Sequence, residues 1–235
     1  MDTLEQSTSV IVACAGNATR MRGENKIFLP LGDSNVLGCA LQALAASTRV
    51  CDIVVVARVQ DHDAVWETVQ NLGIDKVKAV VEGGSTRQQS VLSGLHSISK
   101  ETRLLAIHDG ARPLVRTEDV DQAIYDANVF GAATLGVPVK DTIKIVDDHL
   151  IVDTPYRPSL YQTQTPQVFR RALYFEAVTF AKEHDLDFTD DCQMVEALGQ
   201  KVYMTTGDYT NLKVTTPEDI AIVRAIFAHR EEQTT

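Results

Sequence analysis

The chain has 235 residues, of which 44% are hydrophobic and 23% are charged, and its formal net charge at pH 7 is -10. This composition is ordinary for a globular protein with one sizeable core, and the acidic balance argues against a general DNA- or RNA-binding protein, which needs a basic face. No stretch approaches the ~18 uninterrupted apolar residues of a membrane span, and the acidic, polar start MDTLEQSTS has the wrong charge for a signal peptide.

Strands and helices alternate through the first half of the chain. Apolar runs predict buried strands at 10–14, 53–57, 77–81 and 104–107. Helical spacing of apolar residues predicts helices at 36–46 and 64–72, a third bearing Val91 to Ile98 and a fourth capped by Thr117. Such alternation is typical of a mostly parallel sheet with helices on both faces.

The pattern changes between Gly136 and Thr165. Short apolar runs at 142–146 and 150–152 flank an acidic turn, which predicts a hairpin with no helix to cover it. We expect residues 139–164 to form a protruding β-arm on a single domain of residues 1–235. Exposed apolar hairpins find a partner, so the arm either dimerises or folds back on its own domain. Helices at 172–182, at 190–198 and from Pro217, with a strand at 201–205, complete the prediction.

The four cysteines, at positions 14, 39, 51 and 192, show no paired spacing. Cys14 and Cys51 lie in or beside apolar strands, which indicates buried free thiols and gives no support to a zinc site. Free thiols are typical of a reducing compartment, so we expect a cytoplasmic protein.

The first strand runs into a loop of small residues, Ala15 to Thr19, followed by Arg20 and Lys26. Free backbone amides and nearby cations at the carboxyl end of a first strand suit a polyphosphate. The loop is neither a Walker A loop nor a dinucleotide fingerprint. By itself it indicates only an anion, and a tight turn with solvated cations is the alternative.

Two later strands end in candidate functional residues at the same edge of the predicted sheet. Gly83-Gly84 can lie under a flat base with the Ser90 hydroxyl reading a base edge, or can be a plain tight turn. Asp109 can bind Mg²⁺, which takes one or two carboxylates together with phosphates, or can cap its own loop. His108, beside an apolar strand, is expected to be a hydrogen-bonded structural residue.

These residues, taken in chain order, resemble the 2-C-methyl-D-erythritol 4-phosphate cytidylyltransferase family of the non-mevalonate isoprenoid pathway. The resemblance rests on Ala15-Gly16 with Arg20-Met21 and Lys26, Gly83-Gly84 with Arg87 and Ser90, His108 to Pro113, Asp141-Thr142, Gln164 to Gln167, Thr189-Asp190 and Asn211 to Thr215. It implies a Rossmann-like nucleotidyltransferase fold, a homodimer built through the β-arm, CTP as nucleotide substrate and Mg²⁺. It implies no nucleic-acid or membrane partner.

The resemblance also implies roles for individual residues. Arg20 and Lys26 would stabilise the transition state, while Arg157 and Lys213 would hold the sugar phosphate. The CTP site would be lined by Ala13, Cys14, Ala15, Gly16, Asn17, Gly84, Ser85, Ser90 and Asp109. Asp109, Arg112, Thr165 and Thr189 would contact the acceptor, and Asp109 would bind the metal.

Two positions depart from the family pattern. Ala18 stands where the family usually has glycine, and Asn25 stands where it usually has proline before the lysine. We expect Asn25 to loosen the loop preceding Lys26. The alternatives to the proposed activity are a sister enzyme acting on ribitol 5-phosphate, a non-catalytic nucleotide-binding relative and a GT-A glycosyltransferase. The last usually carries an Asp-x-Asp motif, which Asp187 to Asp190 does not match.

Overall fold

The fold is organised around one large sheet, seen in a computed structural model that describes residues 7–16 and 25–234. The strands are β1 (Thr8–Ala13), β2 (Pro30–Leu31), β3 (Ser34–Asn35), β4 (Val50–Ala57), β5 (Val77–Glu82), β6 (Leu104–Asp109), β7 (Ala132–Pro138), β8 (Ile145–Asp147), β9 (Leu150–Asp153), β10 (Tyr161–Arg170) and β11 (Tyr203–Thr206). The helices are α1 (Val36–Ala46), α2 (His62–Asn71), α3 (Arg87–Gly94), α4 (Thr117–Phe130), α5 (Arg171–Glu183), α6 (Asp191–Glu196) and α7 (Pro217–Thr234). None of the helices in these ranges is long and apolar enough to cross a membrane.

Within the described residues the large sheet has seven strands in the order β11-β7-β10-β6-β1-β4-β5. Strand β10 is antiparallel to both of its neighbours, and the other pairings are parallel. The carboxyl ends of β1, β4, β5 and β6 therefore meet at one edge, which is where ligands bind in sheets of this kind.

The sheet is buried on both faces, and apolar side chains of its central strands pack on each side. In β1, Val10 and Val12 pack into one hydrophobic cluster, while Ile11 packs into another on the opposite face. The first cluster includes residues of α1, α2 and α4, and the second includes residues of α3, α5 and α6. The predicted α/β class, with helices on both faces of a mostly parallel sheet, is confirmed.

Strand β10 was not predicted, although it lies inside the sheet between β6 and β7. Strand β7 was also not predicted. The prediction that Thr117 caps α4 is wrong. Arg116 occupies the cap position, and the Thr117 hydroxyl instead donates to the carbonyl oxygen of Ala43 at 2.9 Å.

Strands β8 and β9 pair antiparallel in a hairpin whose residues are all exposed. Its two turn residues, Asp148 and His149, have φ of 44° and 64°, as a two-residue turn of this handedness requires. The chain leaves the large sheet after Pro138 and rejoins it at Tyr161, which pairs with Pro138. The last four residues of the predicted 139–164 insertion therefore belong to β10. The role of the hairpin in dimerisation stays a prediction.

Candidate active site

A cavity of about 600 Å³ opens at the edge where β1, β4, β5 and β6 end. This volume lies within the range of ligand-binding pockets. The lining residues are Ala13 to Gly16, Asn25 to Ile27, Arg58 to Gln60, Glu82 to Arg87, Ser90, Asp109, Ala111 and Lys213. Loops from four strands thus converge on one space, together with Lys213 from a distant segment.

The loop after β5 supplies a wall of backbone to this cavity. The Ser90 hydroxyl donates to the carbonyl oxygen of Thr86 at 2.9 Å and accepts from the Gly84 amide at 3.1 Å, which ties the loop to the first turn of α3. A Cβ on Gly83 would overlap the side chain of Ala15. Glycine at this position lets the loops after β1 and β5 approach each other closely.

Three cations surround the carboxylate of Asp109. Lys213 Nζ lies 2.8 Å from Oδ2, Arg112 Nε lies 3.4 Å from Oδ2, and Arg87 Nε lies 3.9 Å from Oδ1. Burial raises the pKa of Asp109, but the charges of Lys213, Arg112 and Arg87 outweigh it and hold the pKa well below its ordinary value. The carboxyl group is therefore ionised near neutral pH.

Arg87 is itself held by a buried acid. Its Nη1 lies 2.5 Å from Oδ2 of Asp191, whose Oδ1 accepts a hydrogen bond from the Tyr174 hydroxyl at 2.6 Å. Burial lowers the pKa of Arg87, but the charges of Asp191 and Asp109 outweigh it and raise the pKa above its ordinary value. The Arg87 guanidinium is thus fixed between the cavity and the core.

His108 holds the turn that carries Asp109. Its Nε2–H donates to the carbonyl oxygen of Arg112 at 3.3 Å, because a carbonyl can only accept, and Nδ1 accepts from the Thr165 hydroxyl at 3.1 Å. The same Thr165 oxygen accepts from the Asp109 amide at 3.0 Å. Burial lowers the pKa of His108 to about 4, so the imidazole is neutral. The prediction of a structural histidine is confirmed.

The cavity contains most of the residues predicted to bind CTP and two of the four predicted catalytic residues. Of the predicted residues that the structure describes, Ala13, Cys14, Ala15, Gly16, Lys26, Gly84, Ser85, Ser90, Asp109 and Lys213 line it. Asn17 and Arg20 lie outside the described residues, as does Ala18.

The remaining predicted residues lie away from the cavity wall. Arg112 and Thr165 support Asp109 from behind and do not line the cavity. Thr189 is exposed, and its hydroxyl donates to Oε1 of Gln193. Arg157 is exposed beyond the hairpin, and its guanidinium donates to the carbonyl oxygen of Lys140. These two residues are not brought to the cavity of their own chain.

The loop after β4 was not predicted to belong to the site, yet Arg58, Val59 and Gln60 line the cavity. Their position immediately after a predicted buried strand was the available signal, since every parallel strand delivers its next residues to the same edge. The supporting acid Asp191 gave no such signal, because it reaches Arg87 from a different part of the chain.

The doubly covered sheet, the small-residue loops at its carboxyl edge and the lysines of a nucleotide-sized cavity define a site of the nucleotidyltransferase class. Comparison with known proteins identifies the family within this class. The family model for 2-C-methyl-D-erythritol 4-phosphate cytidylyltransferase matches residues 8–229. The chain belongs to this family, and the predicted enzyme class, a CTP-dependent nucleotidyltransferase, is confirmed.

Individual relatives agree over nearly the whole chain. The 2-C-methyl-D-erythritol 4-phosphate cytidylyltransferase of Desulforamulus reducens is 41% identical over 223 residues, which cover 94% of this chain and 95% of that protein. The enzyme of the same name from Pelotomaculum thermopropionicum is 40% identical over 226 residues, 95% of each. The solved structure of 4-diphosphocytidyl-2C-methyl-D-erythritol synthase from Anaerococcus prevotii matches with a TM-score of 0.83 at 29% identity, covering 95% of this chain and 99% of that chain.

Proposed function

We propose that this cavity is where the protein couples CTP to 2-C-methyl-D-erythritol 4-phosphate, forming 4-diphosphocytidyl-2-C-methyl-D-erythritol and pyrophosphate. One observation carries the assignment of the site. Lys26 and Lys213, which come from opposite ends of the chain, line the same cavity as Asp109 and the Gly83-Gly84 loop.

The reaction is a direct in-line displacement. A phosphate oxygen of the acceptor forms a bond to the α-phosphorus of CTP, and the bond to the bridging oxygen breaks with its electron pair leaving on pyrophosphate. Both reactants are anions, so repulsion and the charge of the transition state are the obstacles. No nucleophilic side chain is required. Burial raises the pKa of Cys14, the thiol in the cavity wall, well above its ordinary value, so this thiol stays protonated.

The cations divide between the two substrates. Lys26 faces the α-phosphate and stabilises the charge that develops there, the role also proposed for Arg20. Lys213, with Arg157, holds the acceptor phosphate, and Asp109 keeps Lys213 oriented through its 2.8 Å ion pair. The backbone of Gly84 and Ser85 receives the base, while the Ser90 hydroxyl fixes that loop. Arg112, Thr165 and Thr189 complete the acceptor side.

A magnesium ion fits the donor set through the carboxylate of Asp109. Within residues 7–16 and 25–234 no group of three or more histidine, cysteine or acidic side chains could hold a metal ion. Asp109 offers a single ionised carboxylate, whose Oδ1 is 3.9 Å from its nearest paired cation. Mg²⁺ often takes one carboxylate and completes its shell with phosphate oxygens and water. Asp109 would hold the ion, which when bound neutralises part of the triphosphate charge.

We assign Arg157 to the cavity of a partner subunit in a homodimer formed through the hairpin. The hairpin exposes Val146, Leu150, Ile151 and Val152, each at least 55% accessible. An apolar ribbon of this kind is typical of a surface that is covered in an assembly. Arg157 begins the short 3-10 turn between β9 and β10 and does not line the cavity of its own chain. We place the enzyme in the cytoplasm, in keeping with its four free cysteines.

The activity is tested by pyrophosphate release from CTP with 2-C-methyl-D-erythritol 4-phosphate or ribitol 5-phosphate as acceptor. We expect turnover with the first acceptor only. Lys213→Ala should lower kcat/KM by at least about 100-fold, the effect of removing one group that stabilises transition-state charge. Lys78→Ala is the matched control, because Lys78 is exposed and donates to the carbonyl oxygen of Asp75 outside the cavity. Equal activity of the two variants would refute the assignment.

The role of Arg157 in the partner's cavity is tested by mixing two inactive variants, Lys26→Ala and Arg157→Ala. In a symmetric dimer, each mixed dimer contains one cavity with both residues intact, so random exchange should restore about a quarter of wild-type activity. Absence of any restoration under conditions where subunits exchange would place Arg157 in its own chain's site or outside catalysis.

A further inference from the structure

Asn25, which departs from the family pattern, makes two side-chain hydrogen bonds that fix the turn carrying Lys26. Its Oδ1 accepts from the Ile27 amide at 3.4 Å, capping a short 3-10 turn over Lys26–Phe28. Its Nδ2 donates to Oδ2 of Asp61 at 2.9 Å. The loop preceding Lys26, which Asn25 was expected to loosen, lies outside the described residues apart from Asn25 itself.

Asp61 is the fixed end of this connection. It is buried, with 7% of its surface exposed, and it forms a two-point ion pair with Arg58 through contacts of 2.7 and 3.3 Å. The Asp61 amide also donates to the carbonyl oxygen of Arg58 at 2.8 Å. A paired carboxylate held at both oxygens has little freedom to move.

The other side of the Lys26 turn is anchored in the core. Ile27 is 2% exposed and packs into the hydrophobic cluster under the sheet. The Phe28 amide donates to the carbonyl oxygen of Asn25 at 3.0 Å. The backbone of Lys26 thus lies between a buried apolar anchor and a hydrogen-bonded polar one, with its side chain at the cavity wall.

We propose that Asn25, Asp61 and Arg58 form a positioning clamp that sets the placement of Lys26 against the nucleotide. The three residues do not themselves carry out chemistry in this proposal, which rests on the function proposed for Lys26 above. The clamp connects the loop after β4 to the loop after β1, so that two walls of the cavity are held together. Asparagine at position 25 fixes the turn with two side-chain hydrogen bonds, whereas the proline usual in the family would restrict the backbone itself.

The clamp predicts the effect of a second carboxylate placed against Asp61. Asn25→Asp retains the acceptor for the Ile27 amide but places a second carboxylate against Asp61, and the repulsion should displace the turn. We expect this variant to lower kcat at least about tenfold with a smaller change in the KM for CTP, since misplacing a transition-state group affects turnover first.

Two reference variants make the result decisive. Asp119→Asn breaks an Arg–Asp pair of the same spacing, formed with Arg116 and remote from the cavity wall, and should leave kcat unchanged. Lys26→Ala gives the loss of turnover against which the others are compared, and thermal unfolding shows that each variant is folded. The clamp is overturned if Lys26→Ala is inactive while a folded Asn25→Asp variant keeps wild-type kcat. An active Lys26→Ala variant overturns both this inference and the proposed role of Lys26.

Discussion

Moderate acid should destabilise the protein through His108 before it protonates Asp109. The imidazole is fully buried, and burial lowers its pKa from 6.5 to about 4. Above about pH 6.5 the group is neutral in the folded and unfolded chains, so it adds no pH dependence. Between about pH 6.5 and pH 4 only the unfolded chain binds the proton, so the free energy of unfolding decreases as the pH falls. At about 1.4 kcal/mol per pKa unit, the loss amounts to about 3 kcal/mol.

Urea unfolding between about pH 4 and pH 8 measures this loss in the wild type and in His108→Gln, whose amide retains a donor for the Arg112 carbonyl and does not titrate. The advantage of the wild type should shrink by about 3 kcal/mol across the window. Protonation of Asp109 affects stability in a lower pH range. Its pKa is lowered below the ordinary value of 3.8, so its stabilisation is present above about pH 4 and is lost only at lower pH. Parallel curves for the two proteins would refute the neutral buried imidazole.

Two further predictions concern groups behind and within the cavity wall. Asp191→Asn leaves Arg87 without its closest carboxylate, so thermal unfolding should show a loss of about 3–5 kcal/mol, or a Tm lower by roughly 6–20 °C for a chain of this length. Tyr174→Phe removes only one hydrogen bond to the same carboxylate and should cost about 1.5–3 kcal/mol; equal losses would contradict a charge-based role for Asp191. Gly83→Ala places a Cβ against Ala15, so calorimetric titration should show CTP binding weakened at least about tenfold. Unchanged affinity would show that the two loops can separate at no cost.

Strands with continuous apolar runs could be predicted from the sequence, whereas strand β10 could not. Its residues YQTQTPQVFR contain a proline and alternate without an apolar face. Gln164, Thr165 and Gln167 are nonetheless buried, because tertiary hydrogen bonds satisfy their side chains. The Gln164 amide donates to the carbonyl oxygen of Asp208, and Thr165 bonds to His108 and to the Asp109 amide. Hydrophobic periodicity cannot detect a strand whose burial depends on partners elsewhere in the chain.

The residues of the site fall into the same two groups. Some are placed by the apolar strand they follow, and others depend on partners elsewhere in the chain. Residues that follow an apolar strand, such as Asp109 and Gly84, could be placed at the ligand edge by topology alone. Asn25 could not be interpreted in this way, since the effect of replacing proline depends on what the new side chain meets. Its partner Asp61 lies in the loop after a different strand, and only the register of β1 with β4 brings the two loops together.

An acidic chain can contain a cationic cavity, because the acids beside the cavity are paired with cations and the remaining acids lie elsewhere. The net charge of -10 belongs to the whole chain, while Asp109, Asp191 and Asp61 each pair with a cation at or beside the cavity. A partly buried cation without a partner would lose hydration and gain nothing in return. The paired acids therefore hold the cations in place before any phosphate arrives, so that binding requires little reorganisation. Asp109 is the central case, since a single carboxylate orients three cations that come from three separate segments of the chain.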